Sequence, residues 1–184
     1  MTGDFIHREV HRVMAKYKTN DPYELLDALG VEVRESRAYG PHGLKGYCYF
    51  SKRTIFVVLN AFLPEIEQRI VAMHEAAHVI LHQAQIKVAP MRDNVIYDMT
   101  SRTEYQANLF TADFLISDEA IEELTEQEDM DYFRMCKELP SGYEVPYDTL
   151  ESIMIHKTGV FRALSNHVVG TVFQISHSFL EAQG

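Results

Sequence analysis

His74, Glu75 and His78 have the residue types and the spacing for metal-dependent hydrolysis. An α-helix has about 3.6 residues per turn, so residues four apart share a face and both imidazoles can reach one ion. Glu75 lies about 100° round the helix from His74, where it can flank a metal without binding it. In this H-E-x-x-H pattern, zinc acidifies a water and the glutamate takes its proton. The pattern therefore predicts a zinc site of the peptidase type, with Glu75 as its base.

A predicted helix over residues 64–82 must position this motif. Pro64 suits a first helical turn, and Ile66, Ile70 and Met73 follow at helical spacing. The motif therefore lies on a helix with a buried side. Buried polar groups need partners, so a purely structural helix would seldom place two histidines and a glutamate there.

A third metal ligand is needed, because catalytic zinc usually has three protein ligands and one position for water. Glu104 is the best candidate, on a second predicted helix over residues 101–116. Ser101 and Glu104 also match a capping box, in which the glutamate serves only the start of its helix. The local pattern leaves both interpretations open. The segment 83–100 is long enough to return the second helix past the first.

Two residues are candidates for orienting the metal-binding imidazoles. Asn108 lies four residues after Glu104 on the same helical face, and its amide oxygen can accept an imidazole N–H. An ordinary helix-to-helix hydrogen bond is the alternative for Asn108. His82, one turn beyond His78, is expected to orient or to pack, because a fourth protein ligand would close the position that water needs.

The coarse prediction is an α+β fold, mostly helical, with a small antiparallel sheet of about three strands beside the H-E-x-x-H helix. Strands 46–51 and 54–60 look like a hairpin, whose edge is predicted to accept an extended peptide. Further elements are predicted from local pattern: helices over 4–18, 22–29, 147–156 and 160–181, and a strand over 31–35. Candidates for stabilising an oxyanion are tyrosines: Tyr97, Tyr105, Tyr47 and Tyr49.

The 184 residues suit one core with a small addition. Residues 1–117 are predicted to form the metallopeptidase-type core, and residues 118–184 a helical extension that packs on it and is a candidate for binding a partner. Cys48 and Cys136 are isolated, which fits a reducing compartment. The sequence has neither a membrane-spanning apolar run nor a secretory start, so we expect a cytoplasmic protein.

The net charge of −10 comes from the second half of the chain. Residues 1–92 contain twelve Lys and Arg against ten Asp and Glu, whereas residues 93–184 contain five against seventeen. Residues 118–131 contain eight acidic residues and no basic one. Such a surface repels nucleic acid and attracts a basic protein, although a merely solvated face is the plainer interpretation.

The chain resembles the ImmA/IrrE-type metallopeptidases over about residues 20–117. The resemblance rests on His74-Glu-Ala-Ala-His-Val-Ile-Leu-His82 and on Glu104-Tyr-Gln-Ala-Asn-Leu-Phe110, which is similar to an E-x-x-A-N-x-F motif. It implies a minimal zincin-like fold with one Zn²⁺ per chain, held by His74, His78 and Glu104. The next residues, Thr111-Ala-Asp-Phe-Leu-Ile-Ser117, depart from the family pattern in ways that affect packing more than ligands.

The resemblance also implies a function. We expect a zinc-dependent endopeptidase that cleaves a specific protein, a basic helix-turn-helix repressor, and so releases genes of a mobile element or a stress response. From the acidic second half and the lack of a membrane-spanning apolar run, we expect no direct contact with nucleic acid or a membrane. One alternative is a toxin or binding component of a toxin-antitoxin pair that keeps the metal site. Another is a purely structural metal site.

Overall fold

The structure, a computed structural model, describes residues 3–93 and 101–116. Tyr97, Cys136, the acidic run 118–131 and the predicted helices after residue 140 lie outside these ranges. The proposed division between a core and an extension therefore stays a prediction.

Five helices and four strands make up the described residues. The helices are α1 (Gly3–Tyr17), α2 (Pro22–Ala28), α3 (Glu65–Leu81), α4 (Gln83–Ile86) and α5 (Arg102–Leu115). The strands are β1 (Glu32–Ser36), β2 (Gly46–Ser51), β3 (Thr54–Asn60) and β4 (Met91–Asp93). The predicted helices and strands in these ranges are confirmed to within about one residue. Sequence pattern missed the short elements α4 and β4.

Helix α2 begins where its sequence dictates. The Asp21 carboxylate accepts hydrogen bonds from the backbone N–H groups of Tyr23 and Glu24, and Pro22 occupies the first helical turn. The same carboxylate pairs with the Arg69 guanidinium of α3. Burial opposes ionisation of Asp21, but the two amide hydrogen bonds and Arg69 outweigh it and lower the pKa of Asp21. Asp21 therefore links the start of α2 to α3.

We expect Asp21→Asn to reduce the acid sensitivity of the fold. A carboxyl whose pKa is lowered on folding stabilises the protein above its unfolded pKa, which is 3.8 here. That contribution is lost as the pH falls through the lower, folded pKa. Asparagine keeps the helix cap but cannot titrate. Urea unfolding followed from neutral to acidic pH should show a shallower loss below pH 3.8 than in wild type, and an equal loss would contradict this account.

The β2–β3 hairpin forms as predicted, with Ser51 opposite Thr54 and Gly46 opposite Leu59. Its two-residue turn is Lys52-Arg53, with φ of 48° and 69°. Both turn residues have a left-handed backbone conformation, which matches the twist of the strands that they join. The turn thus sets the register of the strand that leads into α3.

The sheet has the order β1-β3-β2-β4, so the α+β class is confirmed while two details of the sheet differ from the prediction. The sheet is mixed rather than wholly antiparallel, because β1 pairs with β3 in parallel. The connection from β1 to β2 therefore crosses to the other side of β3. Strand β4 then pairs with β2. Strand β4 therefore occupies the outer edge of the hairpin along residues 46–48, and acceptance of an extended peptide by the rest of that edge stays a prediction. Within the described ranges, β1 and β4 are the edge strands.

Helix α3 lies in the centre of the described structure. It packs against β2 and β3 on one side, and it also contacts α2 and α5. Helix α1 covers α5, where His7 Nδ1 lies 3.1 Å from Asp113 Oδ2. The helices and the sheet share one apolar core, whose fully buried members include Ile6, Leu25, Leu26, Cys48, Val57, Met73, Ala76 and Phe110. Residues on α3 and α5 are consequently held in a fixed relative position. Among the described residues, no helix is both long and apolar enough to cross a membrane.

Candidate metal centre

Helix α3 presents the sequence motif on its buried side. His74, Glu75 and His78 are all buried, together with the apolar residues around them. Their helical spacing puts the two imidazoles in edge-to-face contact, with ring centroids 4.7 Å apart. The local geometry that the sequence predicted for these residues is thus present.

Helix α5 brings Glu104 to the two imidazoles. Glu104 Oε2 lies 3.1 Å from His74 Nε2 and 3.3 Å from His78 Nε2. The two Nε2 atoms are 3.0 Å apart. Glu104 is the most exposed of the three, at 14% of its side chain, whereas both imidazoles are almost fully buried. Three atoms with ligand lone pairs therefore converge at the junction of α3 and α5, and of the three Glu104 lies nearest to solvent.

The triangle fits a tetrahedral zinc ion. Zinc binds nitrogen and oxygen at about 2.0–2.1 Å, so neighbouring ligand atoms in a tetrahedron lie about 3.3–3.4 Å apart. The observed edges of 3.0 to 3.3 Å are close to that spacing. Two imidazoles and one carboxylate also form a usual donor set for catalytic zinc, with one position left for water. Among the described residues, these three are the only His, Cys, Asp or Glu cluster compact enough to hold a metal.

The position of the Glu104 side chain distinguishes its two interpretations, which are a metal ligand and a capping-box residue. The Ser101 hydroxyl accepts a hydrogen bond from the Glu104 backbone N–H and so caps α5. The Glu104 carboxylate lies against His74 and His78 instead of serving the helix start. Ser101 thus starts the helix through the backbone, and the carboxylate is left to the candidate metal centre.

Gly46 of β2 makes room for Glu75. A Cβ atom at position 46 would lie 3.1 Å from Glu75 Oε1 and only 2.4 Å from Val71 Cγ1. Both neighbours are buried side chains on α3. A side chain at position 46 would therefore push on the helix that carries the motif and on the carboxylate itself. Sequence pattern did not single out Gly46.

We expect Gly46→Ala to destabilise the fold by about 1–3 kcal/mol, because an extra methyl group in a filled core causes strain. Combining it with Val71→Ala should remove most of that strain, so the double variant should be more stable than the two single effects predict. Thermal unfolding of the four proteins measures this coupling. Simple addition of the two effects would show that the close approach to Val71 has no energetic weight.

His82 lies between the centre and α5. Its Nδ1 is 3.1 Å from His78 Nδ1, and its Nε2 is 3.0 Å from Gln106 Oε1. Burial lowers the pKa of His82, although the hydrogen bond to Gln106 opposes that effect. His82 thus contacts His78, a candidate ligand, at Nδ1 of His78, while Nε2 of His78 faces Glu104. This contact suits an orienting role for His82. Sequence analysis did not identify Gln106, since no local signal connects residues 24 positions apart.

The other predicted site residues are placed less directly. Asn108 is buried one turn beyond Glu104, and its orienting role stays a prediction. Tyr105 packs against the apolar core.

Tyr47 and Tyr49 stack on each other, with centroids 5.8 Å apart. They alternate with Gly46 and Cys48, which face the core, so they lie on the face of the sheet away from Glu75. The described geometry therefore does not support these two tyrosines as oxyanion stabilisers.

A buried H-E-x-x-H helix beside a small sheet, with a carboxylate from a second helix, is the arrangement of a metallopeptidase. A family model described as Peptidase_M78, IrrE N-terminal-like domain, matches residues 26–152. The chain belongs to this family, the ImmA/IrrE-type peptidases. The match extends beyond the resemblance seen in the sequence, which ended near residue 117.

A relative comes from a bacteriophage. It is named "Uncharacterized immunity region protein 2", from Bacillus phage phi105, and is 29% identical over 113 residues. The alignment covers 61% of this chain and 69% of the relative. No solved structure matches the chain.

Proposed function

We propose that the protein is a zinc-dependent endopeptidase that cleaves a specific protein substrate. The observation that carries this proposal is the convergence of Glu104 Oε2 with the His74 and His78 Nε2 atoms within 3.3 Å. Glu75, next to His74 in sequence, adds a buried carboxylate at the position of the motif's base. Membership of a peptidase family supports the same conclusion.

Each residue has a defined part in the proposed reaction. His74, His78 and Glu104 would hold the zinc ion, which when bound acidifies water and polarises a peptide carbonyl. Glu75 accepts the proton of the attacking water and then delivers it to the leaving amide nitrogen. The burial of both imidazoles keeps bulk solvent from competing for the ligand atoms.

The proposed substrate is a basic helix-turn-helix repressor, and its cleavage would release genes of a mobile element or a stress response. Proteins that bind DNA carry Lys and Arg for phosphate contacts. The net charge of −10 on this chain favours encounter with such a protein. The phage relative named for an immunity region is consistent with a role in mobile elements. A DNA-binding substrate also makes the cytoplasm the proposed place of action.

A cleavage assay tests the proposal. A repressor-like protein from a neighbouring gene, where the genome encodes one, is the candidate substrate. It is incubated with zinc-loaded enzyme and analysed by intact-mass spectrometry. We expect two complementary fragments, no cleavage after zinc removal by a chelator, and recovery when zinc is restored. A stable complex that leaves the partner intact under all conditions would contradict peptidase function and favour a binding component of a toxin-antitoxin pair.

A further inference from the structure

A chain of three side chains runs from the candidate metal centre to the middle of α5. His78 Nε2 faces the centre, and His78 Nδ1 lies 3.1 Å from His82 Nδ1. His82 Nε2 then lies 3.0 Å from Gln106 Oε1. All three residues are buried, so water does not replace these contacts freely. Each hydrogen bond in the chain therefore constrains the next.

The direction of these hydrogen bonds follows from the amide oxygen of Gln106. With the amide oxygen of Gln106 placed toward His82, His82 Nε2 carries the proton, because an amide oxygen only accepts. A neutral imidazole has one donor and one acceptor nitrogen, and His82 Nδ1 is consequently the acceptor. His78 Nδ1 must donate to it. His78 Nε2 is then unprotonated, with its lone pair available to a metal.

We propose that Gln106 is a positioning residue, which acts through His82 to hold His78 in the tautomer that can bind metal. The proposal rests on the proposed function in one respect, namely that His78 is a metal ligand. The reverse arrangement explains why the amide orientation matters. If the Gln106 NH₂ group faced His82, each proton would move to the other nitrogen and His78 Nε2 would carry one. A protonated Nε2 cannot bind metal.

The placement of Gln106 links this role to the packing of two helices. Gln106 lies two residues after Glu104 on α5, while His78 lies in the last turn of α3 and His82 directly follows that helix. The packing of α5 against α3 thus delivers both a candidate ligand and the group that orients another ligand. Groups that orient metal-binding imidazoles commonly contribute 10- to 100-fold in metal affinity.

Substitutions of Gln106 test the proposal through zinc affinity, measured by competition with a chelator at about pH 8, where histidine is ordinarily neutral. Gln106→Met keeps the length of the side chain but removes the acceptor, and we expect affinity to fall by about 10- to 100-fold. Gln106→Glu keeps an acceptor, and we expect affinity close to wild type. Gln85→Met, at an exposed glutamine on α4, is the matched control and should have no effect.

The tautomers provide a readout that a packing role would not change. Long-range ¹H–¹⁵N correlation spectra of zinc-free wild type should show His82 protonated at Nε2 and His78 at Nδ1. Gln106→Met should lose this preference, and Gln106→Glu should keep it. The opposite wild-type tautomers would overturn the proposal, as would unchanged affinity in Gln106→Met or equal loss in both variants. None of these readouts uses cleavage, so a failure here is distinct from a failure of the proposed peptidase function.

Discussion

Glu75→Gln is expected to abolish most substrate cleavage while leaving zinc affinity and substrate binding unchanged. Glutamine has the shape of glutamate but cannot accept the proton of the attacking water. General acid–base groups typically contribute 10²- to 10⁴-fold to a rate, so we expect the cleavage rate to fall by about that factor. Single-turnover cleavage followed by mass spectrometry measures it. The metal ligands are untouched, so loss of the reaction should come without loss of the ion.

Glu65→Gln is the matched control for this prediction. Glu65 is exposed in the first turn of α3, the helix that also carries Glu75. The control should cleave at the wild-type rate, and thermal unfolding should show that both variants are folded. Wild-type cleavage by Glu75→Gln would remove Glu75 from the mechanism. A drop in zinc affinity as large as the drop in rate would instead make Glu75 part of the metal-binding set.

Glu104→Ala is expected to lower zinc affinity by more than about 100-fold. Loss of a group that merely orients a ligand already costs 10- to 100-fold, and Glu104 is a candidate ligand itself. The substitution removes the oxygen that lies 3.1 Å from His74 Nε2. It leaves the backbone N–H that Ser101 caps. Chelator competition, followed by metal analysis of the purified protein, measures the change.

Ser101→Ala separates the metal role of Glu104 from its place in a helix cap. Loss of the Ser101 hydroxyl should destabilise the fold by about 1 kcal/mol through the start of α5, with zinc affinity almost unchanged. Ser101→Ala should therefore lose stability and keep its zinc affinity, whereas Glu104→Ala should show the opposite pattern. Wild-type zinc affinity in Glu104→Ala would show that the third ligand is another residue.

The parts of the site that depend on one helix could be predicted from the sequence. The spacing of His74, Glu75 and His78 places them together in any α-helix, whatever packs around it. The hairpin and the start of α2 were predictable for the same reason, since turn residues and Asp21 act on their immediate neighbours. Local pattern is sufficient where the interacting groups are only a few residues apart.

Contacts between elements were harder to predict. The local pattern left Glu104 ambiguous, because both interpretations share it, and only the family resemblance pointed to a metal ligand. The packing of α5 on α3 is what brings its carboxylate to the imidazoles. The parallel pairing of β1 with β3 depends on where the following connection crosses. The contact of Gln106 with His82 depends on the docking of two helices. Each of these features is set by tertiary structure, for which a single sequence carries little signal.

The most direct test of the proposed centre is the zinc environment in the purified protein, measured by X-ray absorption spectroscopy at the zinc edge. We predict one zinc ion per chain with four nitrogen or oxygen neighbours at about 2.0–2.1 Å, two of them imidazoles. His78→Ala should remove one imidazole from that spectrum. A zinc ion with no imidazole neighbours, or a spectrum that His78→Ala leaves unchanged, would contradict a centre built from His74, His78 and Glu104.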